Sequence, residues 1–263
     1  MTFTFSKNIN EVVELNPELG VDKVVINSFR DIEFVAMEGQ PIGTYLVPKP
    51  LTDDAGHQVV SSAGLPLMDP NEKDVLGSST PDYIVGLTNK ITFGDLSLSF
   101  NIDYRHGGYI MSYTEELTGF VGNSERTLYN DRKPFVVPNS VQQLTDGSYV
   151  ENTTPITMTK INGYNYGTTN ELNELNLMLD KTYYKLRDVT ISYRIPKKYL
   201  NKVLLKDAVL SVYGKNLLLW TPKENALIDP ESSTFGNDLD SEFGEFAAGP
   251  TTRIFGFSIK LGL

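Results

Sequence analysis

Residues 95–105 read DLSLSFNIDYR, in which Leu96, Leu98, Phe100, Ile102 and Tyr104 alternate with Asp95, Ser97, Ser99, Asn101, Asp103 and Arg105. A period of two puts every apolar side chain on one face of an extended strand. Just upstream, Tyr83, Val85, Leu87, Ile91 and Phe93 share a face, with Asn89 as the exception, and Gly94-Asp95 joins the two segments as a hairpin. Residues 188–195 repeat the pattern, with Val189, Ile191, Tyr193 and Ile195 opposite Asp188, Thr190, Ser192 and Arg194. Pro196 then ends the ladder because it has no N–H to donate, and a short helical turn is predicted over 197–205. Residues 207–220 have strand length and composition with a less regular alternation. The closing segment sets Phe255, Phe257, Ile259, Leu261 and Leu263 against Gly256, Ser258, Lys260 and Gly262. Near the start Phe3 and Phe5 alternate with Thr2 and Thr4, while 21–35 and 44–47 are weaker strand candidates whose pairing is open.

The connections fall into two lengths. Those at 94–95 and 196–206 are short, whereas 107–181 and 221–250 are long and polar, and the two kinds alternate along the chain. Up-and-down membrane barrels segregate their turns and loops in this way, while a Greek-key sandwich has no reason to. On that reading 83–93 runs inward, 96–105 outward, 183–195 inward, 208–219 outward and 253–263 inward. The strands match the roughly 9 to 11 residues that a tilted strand needs to cross hydrocarbon. Tyr83, Phe93, Tyr104, Tyr193, Trp220 and Phe255 lie near strand ends, where interfacial aromatic girdles form. The polar set, with Asp103, Arg105, Asp188, Arg194 and Lys260, then faces a watery lumen, which avoids the roughly 2 to 4 kcal/mol that Arg or Lys costs at the bilayer midplane. The same alternation also suits a soluble or surface-exposed β-sandwich, a carbohydrate-binding module whose apolar faces enclose a dry core.

Composition removes several other classes. A net charge of −10, from 23 basic and 33 acidic residues, excludes the concentrated basic face that a nucleic-acid partner requires. There is no cysteine, hence no disulfide framework, thiol nucleophile or Cys-ligated zinc. No apolar run approaches the roughly 18 to 20 residues of a spanning helix, and the first residues lack a basic segment followed by an apolar one. His57 and His106 have no partner at metal-ligand spacing. Glu115-Glu116 and the acidic run 229–245 are candidate calcium ligands, but the run lacks EF-hand spacing and is expected to be a solvated loop. No phosphate-binding glycine loop, nucleophile elbow or Ser, His, Asp set occurs, so no catalytic residue, metal or cofactor is assigned, and no substrate-binding residue is either. Arg105-His106-Gly107-Gly108 reads as loop geometry after a strand rather than a ligand contact. Tyr109, Tyr113, Phe120, Tyr129, Tyr149, Tyr164 and Tyr166 in the long connections suit either sugar stacking or packing of the loops.

Five stretches together resemble the C-terminal third of SusC/RagA TonB-linked outer-membrane proteins. They are EGQPIG (38–43), LGSSTPDYIVGLTNKITFGDLSLSFNIDYRHGG (76–108), YYKLRDVTISYRIPKKYL (183–200), LSVYGKNLLLWT (210–221) and GPTTRIFGFSIKLGL (249–263), with Asp229-Pro230-Glu231 between the last two. The order is right, and the Gly-x-x-x-Pro-Asp, Lys-Leu-Arg-Asp, Gly-Lys-Asn-Leu and Asp-Pro-Glu pieces are jointly specific. The resemblance implies an all-β fold: C-terminal strands of a transmembrane antiparallel β-barrel of the TonB-dependent receptor type. It also implies an outer-membrane location and import, not catalysis, with glycans, oligosaccharides or peptides as cargo. A SusD/RagB-like lipoprotein would lid the barrel, outer-membrane lipid would surround it, and an N-terminal plug with its TonB box would couple it to the TonB complex. Residues 1–263 are expected to be one barrel segment without plug, TonB box or signal peptide, ending on Leu263 where such barrels more often carry an aromatic residue. Six or seven strands make only a partial barrel, since plugged outer-membrane transporters have about 22.

Overall fold

The computed structural model describes residues 1–156, 172–201, 205–234, 236 and 238–263. Tyr164, Tyr166 and the end of the expected helical turn, 202–204, lie outside them. The chain opens with β1 (Thr2–Ser6), followed by β2 (Lys23–Phe29), β3 (Ile32–Met37), β4 (Thr44–Pro50), β5 (Gln58–Val60) and β6 (Met68–Ser78). The hairpin β7 (Tyr83–Phe93) and β8 (Leu96–His106) leads to β9 (Tyr109–Ser112), α1 (Tyr113–Phe120) and the short strands β10 (Phe135–Val136), β11 (Ser140–Gln143), β12 (Tyr149–Glu151) and β13 (Pro155–Ile156). After α2 (Leu172–Leu175) and β14 (Met178–Asp180) come β15 (Tyr183–Arg194), α3 (Lys197–Leu200), β16 (Asp207–Trp220), β17 (Gly244–Glu245) and β18 (Ile254–Gly262).

The long strands form one antiparallel sheet in the order β1-β7-β8-β15-β16-β18. Residues directly opposite each other in such a ladder share a face, so the register can be followed across the sheet as rows. Phe5, Val85, Tyr104, Tyr184 and Trp220 form one row, and Phe3, Leu87, Ile102, Leu186 and Leu218 the next. Further down lie the rows Ile91, Leu98, Ile191, Val212, Phe257 and Phe93, Leu96, Tyr193, Leu210, Ile259. The whole sheet thus has one apolar face. Nothing among the described residues covers it, for Phe255 and Phe257 remain 75% and 76% exposed. A dry sandwich core between two sheets, the alternative architecture, is therefore not what this sheet builds.

Expectation and structure part at several points. Residues 21–35 and 44–47 do make strands, but β2, β3, β4 and β6 form a separate four-stranded sheet and do not join the long one. The connections 7–82, 107–182 and 221–253 all leave the same end of the long sheet, as the alternating lengths implied, but they fold together instead of standing in solvent. Ile32, Phe34, Tyr45 and Val47 from the first, Met111 and Leu177 from the second, and Phe243 from the third make one buried cluster. The Tyr45 hydroxyl donates to the Phe243 carbonyl at 2.6 Å and fastens the first connection to the third. Phe255, expected in a girdle, pairs with Gly214 beside the Val189 position, so it sits partway down the apolar face and not at a rim. The helical turn is described as α3 only.

Candidate functional site

The opposite face of the long sheet carries Thr2, Thr4, Thr88, Ser97, Ser99, Asn101, Asp103, Thr190, Ser192, Ser211 and Ser258 by the same registers. A bulge in β15 decides what stands at its upper end. Leu186 pairs with Ile102 and Leu218, yet Asp188 pairs with Asn101 and Lys215, so Arg187 is an extra residue in the ladder. Opposite it β16 spends two residues, with Asn216 at φ 51°. An inserted residue shifts the alternation by one. Without it, Tyr183 and Lys185 would share the apolar face with Val189 and Ile191; with it, they point to the polar side.

There Lys185 is buried, its side chain 1% exposed, against Asp229, also 1% exposed, from the third connection. Its Nζ donates to Asp229 Oδ2 at 2.9 Å and to Glu231 Oε2 at 2.6 Å. Arg187 donates to Glu231 through both terminal nitrogens and through Nε to Asp103 Oδ2 at 2.6 Å. The Tyr183 hydroxyl donates to Glu231 Oε1 at 2.7 Å, and the Thr251 hydroxyl donates to Asp229 Oδ2. Burial alone would raise the Glu231 carboxyl, but hydrogen bonds from Arg187, Lys185 and Tyr183 outweigh it and hold the pKa down at about 2. Burial of Asp229 is likewise outweighed, by Thr251 and Lys185, and its pKa is lowered. Taking such ions out of water costs several kcal/mol each, which the pairing only offsets. What the network supplies is position: it ties the loop 221–253 to the polar face of the wall. The Lys-Leu-Arg-Asp and Asp-Pro-Glu pieces, read as separate motifs in the sequence, are its two halves.

Three more carboxylates of the acidic run are paired while Asp238 stays exposed, which corrects the expectation of a wholly solvated loop. Glu245 is fully buried and accepts from the Thr114 backbone N–H at 2.9 Å and hydroxyl at 2.8 Å, the Ser112 hydroxyl and the Ala248 N–H, so it anchors the start of α1. Glu242 accepts from Lys181 Nζ at 2.6 Å, and Asp240 accepts from Asn27 at 2.7 Å. Burial, reinforced by the charge of Arg105, lowers the Lys181 pKa against the pull of Glu242. Among the described residues no three His, Asp or Glu side chains converge as metal ligands. Glu115 is buried and accepts from the Ser124 hydroxyl at 2.6 Å; burial raises its pKa against the opposing effects of Ser124 and Arg126. Glu116 pairs with Arg30.

The two histidines stay apart in their contacts. His57 Nδ1 meets Asp53 Oδ2 at 2.8 Å, while His106 Nδ1 meets the Tyr104 hydroxyl at 3.1 Å. Gly107 and Gly108 have φ of +76° and +83°, and a Cβ on them would lie 2.5 Å from Asp82 Oδ2 and 2.6 Å from the Ser79 carbonyl. The two glycines answer to the protein's own packing. Of the aromatic residues in the connections, Tyr113 stacks on Phe246 at 5.4 Å, Tyr129 meets Phe135 edge-on at 4.7 Å and Tyr109 packs on the main cluster. Tyr149 accepts from Gln143, and Phe120 is half-exposed.

No family model matches the chain. In sequence it is 22% identical over 285 residues to TonB-dependent receptor P3 of Formosa agariphila, an alignment covering 98% of the chain and 26% of that receptor. It is also 26% identical over 167 residues to TonB-dependent receptor P26 of the same organism, covering 62% of the chain and 15% of the relative. In fold it is similar to the RagAB peptide importer in the open-open state, with a TM-score of 0.61 at 14% identity, over 99% of the chain and 26% of that structure. The RagAB peptide transporter gives a TM-score of 0.57 at 14% identity, over 92% and 25%. The chain therefore spans about a quarter, or less, of the proteins it matches. Its sequence is similar to that of TonB-dependent receptors, and its all-β antiparallel fold is similar to that of RagAB.

Proposed function

We propose that the chain is a stretch of wall, with its outer loops, of a TonB-dependent importer in the bacterial outer membrane. The observation that carries this reading is the predominantly apolar face of the six-stranded sheet, left uncovered among the described residues while the opposite face is hydroxyl- and charge-rich. Lipid supplies the missing cover, and each aromatic or aliphatic side chain it takes from water contributes about 1.5 to 3 kcal/mol. The three long connections then lie on the outer side as a packed rim over the lumen, and the network around Lys185 holds one of them against the lumenal wall. The receptors and importers it resembles support a transport role and no reaction of its own. Residues 1–263 act as one wall unit, with the plug and TonB box supplied elsewhere in the receptor. A SusD/RagB-like lipoprotein lids the rim, and the cargo is a glycan, oligosaccharide or peptide.

Fractionation of cells producing the receptor tests the location: heat-modifiable barrel in the outer-membrane fraction is expected, and a soluble monodisperse product without detergent overturns the reading. Cargo is tested by growth of a receptor-deletion strain on oligopeptides or oligosaccharides as sole source. Loss of growth on one class identifies it, and unchanged growth on both removes the import assignment.

A further inference from the structure

Between the second and third long connections lies a cavity of about 400 Å³, lined by Glu115 of α1, by Ser124, Arg126 and Tyr129 from the segment after it, and by Lys223 and Leu227 from the third connection. That volume is ordinary for a small-ligand site. Among the lining carboxylates Glu115 is the buried one, its side chain 7% exposed. Its Oε1 accepts from the Ser124 hydroxyl and lies 3.3 Å from Arg126 Nε, while Arg126 Nη1 turns away to donate to Asn176 Oδ1 at 2.7 Å. No hydrogen bond from the described residues reaches Glu115 Oε2, and unlike Glu116 Oε2 this oxygen is not enclosed. A carboxylate taken out of water is costly to hold unless it is paired and fully hydrogen-bonded. Glu115 is half-provided for: one oxygen is committed, and the other is left to the cavity that the side chain lines. The rise in its pKa, which Ser124 and Arg126 do not cancel, has the same origin in burial.

We propose that this cavity is a subsite for a peptide ammonium, from an N-terminus or a lysine side chain, taken by Glu115 Oε2. The inference rests on the importer reading above and selects peptide from the cargo classes which that reading leaves open. An ammonium supplies both things the buried oxygen lacks, a donor and a counter-charge. A neutral sugar hydroxyl supplies only the donor, and hydrogen bonds between charged groups are roughly twice as strong as neutral ones. A guanidinium is shaped for two acceptors side by side, whereas a single free oxygen suits the compact ammonium. A divalent cation would need several oxygen ligands, and no three His, Asp or Glu side chains converge among the described residues. The cavity's own lysine is engaged elsewhere, since Lys223 Nζ lies 3.3 Å from Glu125 Oε1. Beside the carboxylate, Tyr129 and Leu227 are half-exposed and give the apolar part of a residue next to the amine a surface to lie on. The Tyr129 ring also offers its face to a cation.

The test is calorimetric titration of the complete receptor in detergent with four probes: the tetrapeptide Gly-Ala-Leu-Ala amide, its N-acetylated form, acetyl-Gly-Ala-Lys-Ala amide, and maltohexaose. A peptide carrying an ammonium is expected to bind about tenfold tighter than the acetylated peptide without one, the worth of one charge-assisted contact. Tightening by the free N-terminus or by the lysine identifies the source of the amine. Glu115→Gln, which keeps an acceptor for Ser124, abolishes the preference and leaves the acetylated peptide unaffected. Leu227→Ser, on the half-exposed flank, weakens both forms about equally and keeps the preference. Glu72→Gln, in an exposed pair with Lys49 on the four-stranded sheet, changes nothing. Equal binding of the free and acetylated peptides by the unaltered receptor, a preference that survives Glu115→Gln, tighter binding of maltohexaose, or no bound peptide overturns the proposal. Growth of the producing strain on peptides and oligosaccharides is followed alongside: a receptor that supports growth without the amine preference refutes the subsite alone, whereas one that supports growth on neither refutes the importer reading.

Discussion

Removing the cation at the centre of the wall-to-loop network gives a sharp expectation. In Lys185→Met, Asp229 keeps the Thr251 hydroxyl and the Glu231 N–H but loses its counter-charge while remaining buried. An unpaired buried ion of this kind costs about 3 to 5 kcal/mol, a large part of a typical folding free energy. Glu231 fares better because Arg187 still grips it. The double variant Lys185→Met, Asp229→Leu removes the stranded charge as well, and at least about 2 kcal/mol of the loss should return, since a buried pair is worth little against apolar residues of similar size. The assay is urea unfolding of the protein refolded in lipid vesicles, with proteolysis of the loop 221–253 followed in parallel. A single variant that costs less than about 1 kcal/mol, or a double variant less stable than the single, would refute the reasoning that the network holds the loop through compensated burial. The pH dependence has a definite sign. The folded Glu231 pKa of about 2 lies below the ordinary 4.5, so its contribution, at most about 3 kcal/mol, is fully present above the unfolded value and is lost as pH falls towards 2. The tie is expected to be indifferent to pH between about 5 and 8 and to loosen only below about 4.

Three further outcomes follow from other parts of the molecule. Phe257→Arg places a charge in the middle of the apolar face and is expected to cost about 2 to 4 kcal/mol and reduce heat-modifiable barrel in outer-membrane fractions, while Ser258→Arg, one residue on and facing the lumen, is tolerated. Gly108→Ala forces a Cβ to within 2.6 Å of the Ser79 carbonyl at φ +83°, and a loss of about 1 to 3 kcal/mol in urea unfolding is expected. Glu245→Ala strands the Ser112, Thr114 and Ala248 donors around the start of α1, so faster proteolysis between β9 and α1 is expected, with a loss of about 3 kcal/mol; unchanged cleavage would count against its anchoring role.

The alternation of Leu96 to Tyr104 and of Phe255 to Leu263 determined, with no tertiary information, that these segments are strands with one apolar and one polar face. Side chains of an extended chain have a period of two whatever lies nearby. The short connections at 94–95 and 196–206 likewise determined the neighbours β7-β8 and β15-β16, because antiparallel strands close through short links. Tertiary structure decided what depends on residues far apart. β2, β3 and β4 have strand-like sequences, but only packing against Met111, Leu177 and Phe243 placed them in a separate sheet within the long connections and not in the six-stranded sheet. The bulge at Arg187 moved Lys185 to the polar side, a one-residue shift that no propensity scale registers. The acidic run looked like a solvated loop because composition counts charges without their partners. Asp229, Glu231, Glu242 and Glu245 find theirs 44, 46, 61 and 133 residues away, in Lys185, Lys181 and Ser112. Pattern along the chain sets local geometry, and charge pairing across the chain awaits the fold that brings the partners together.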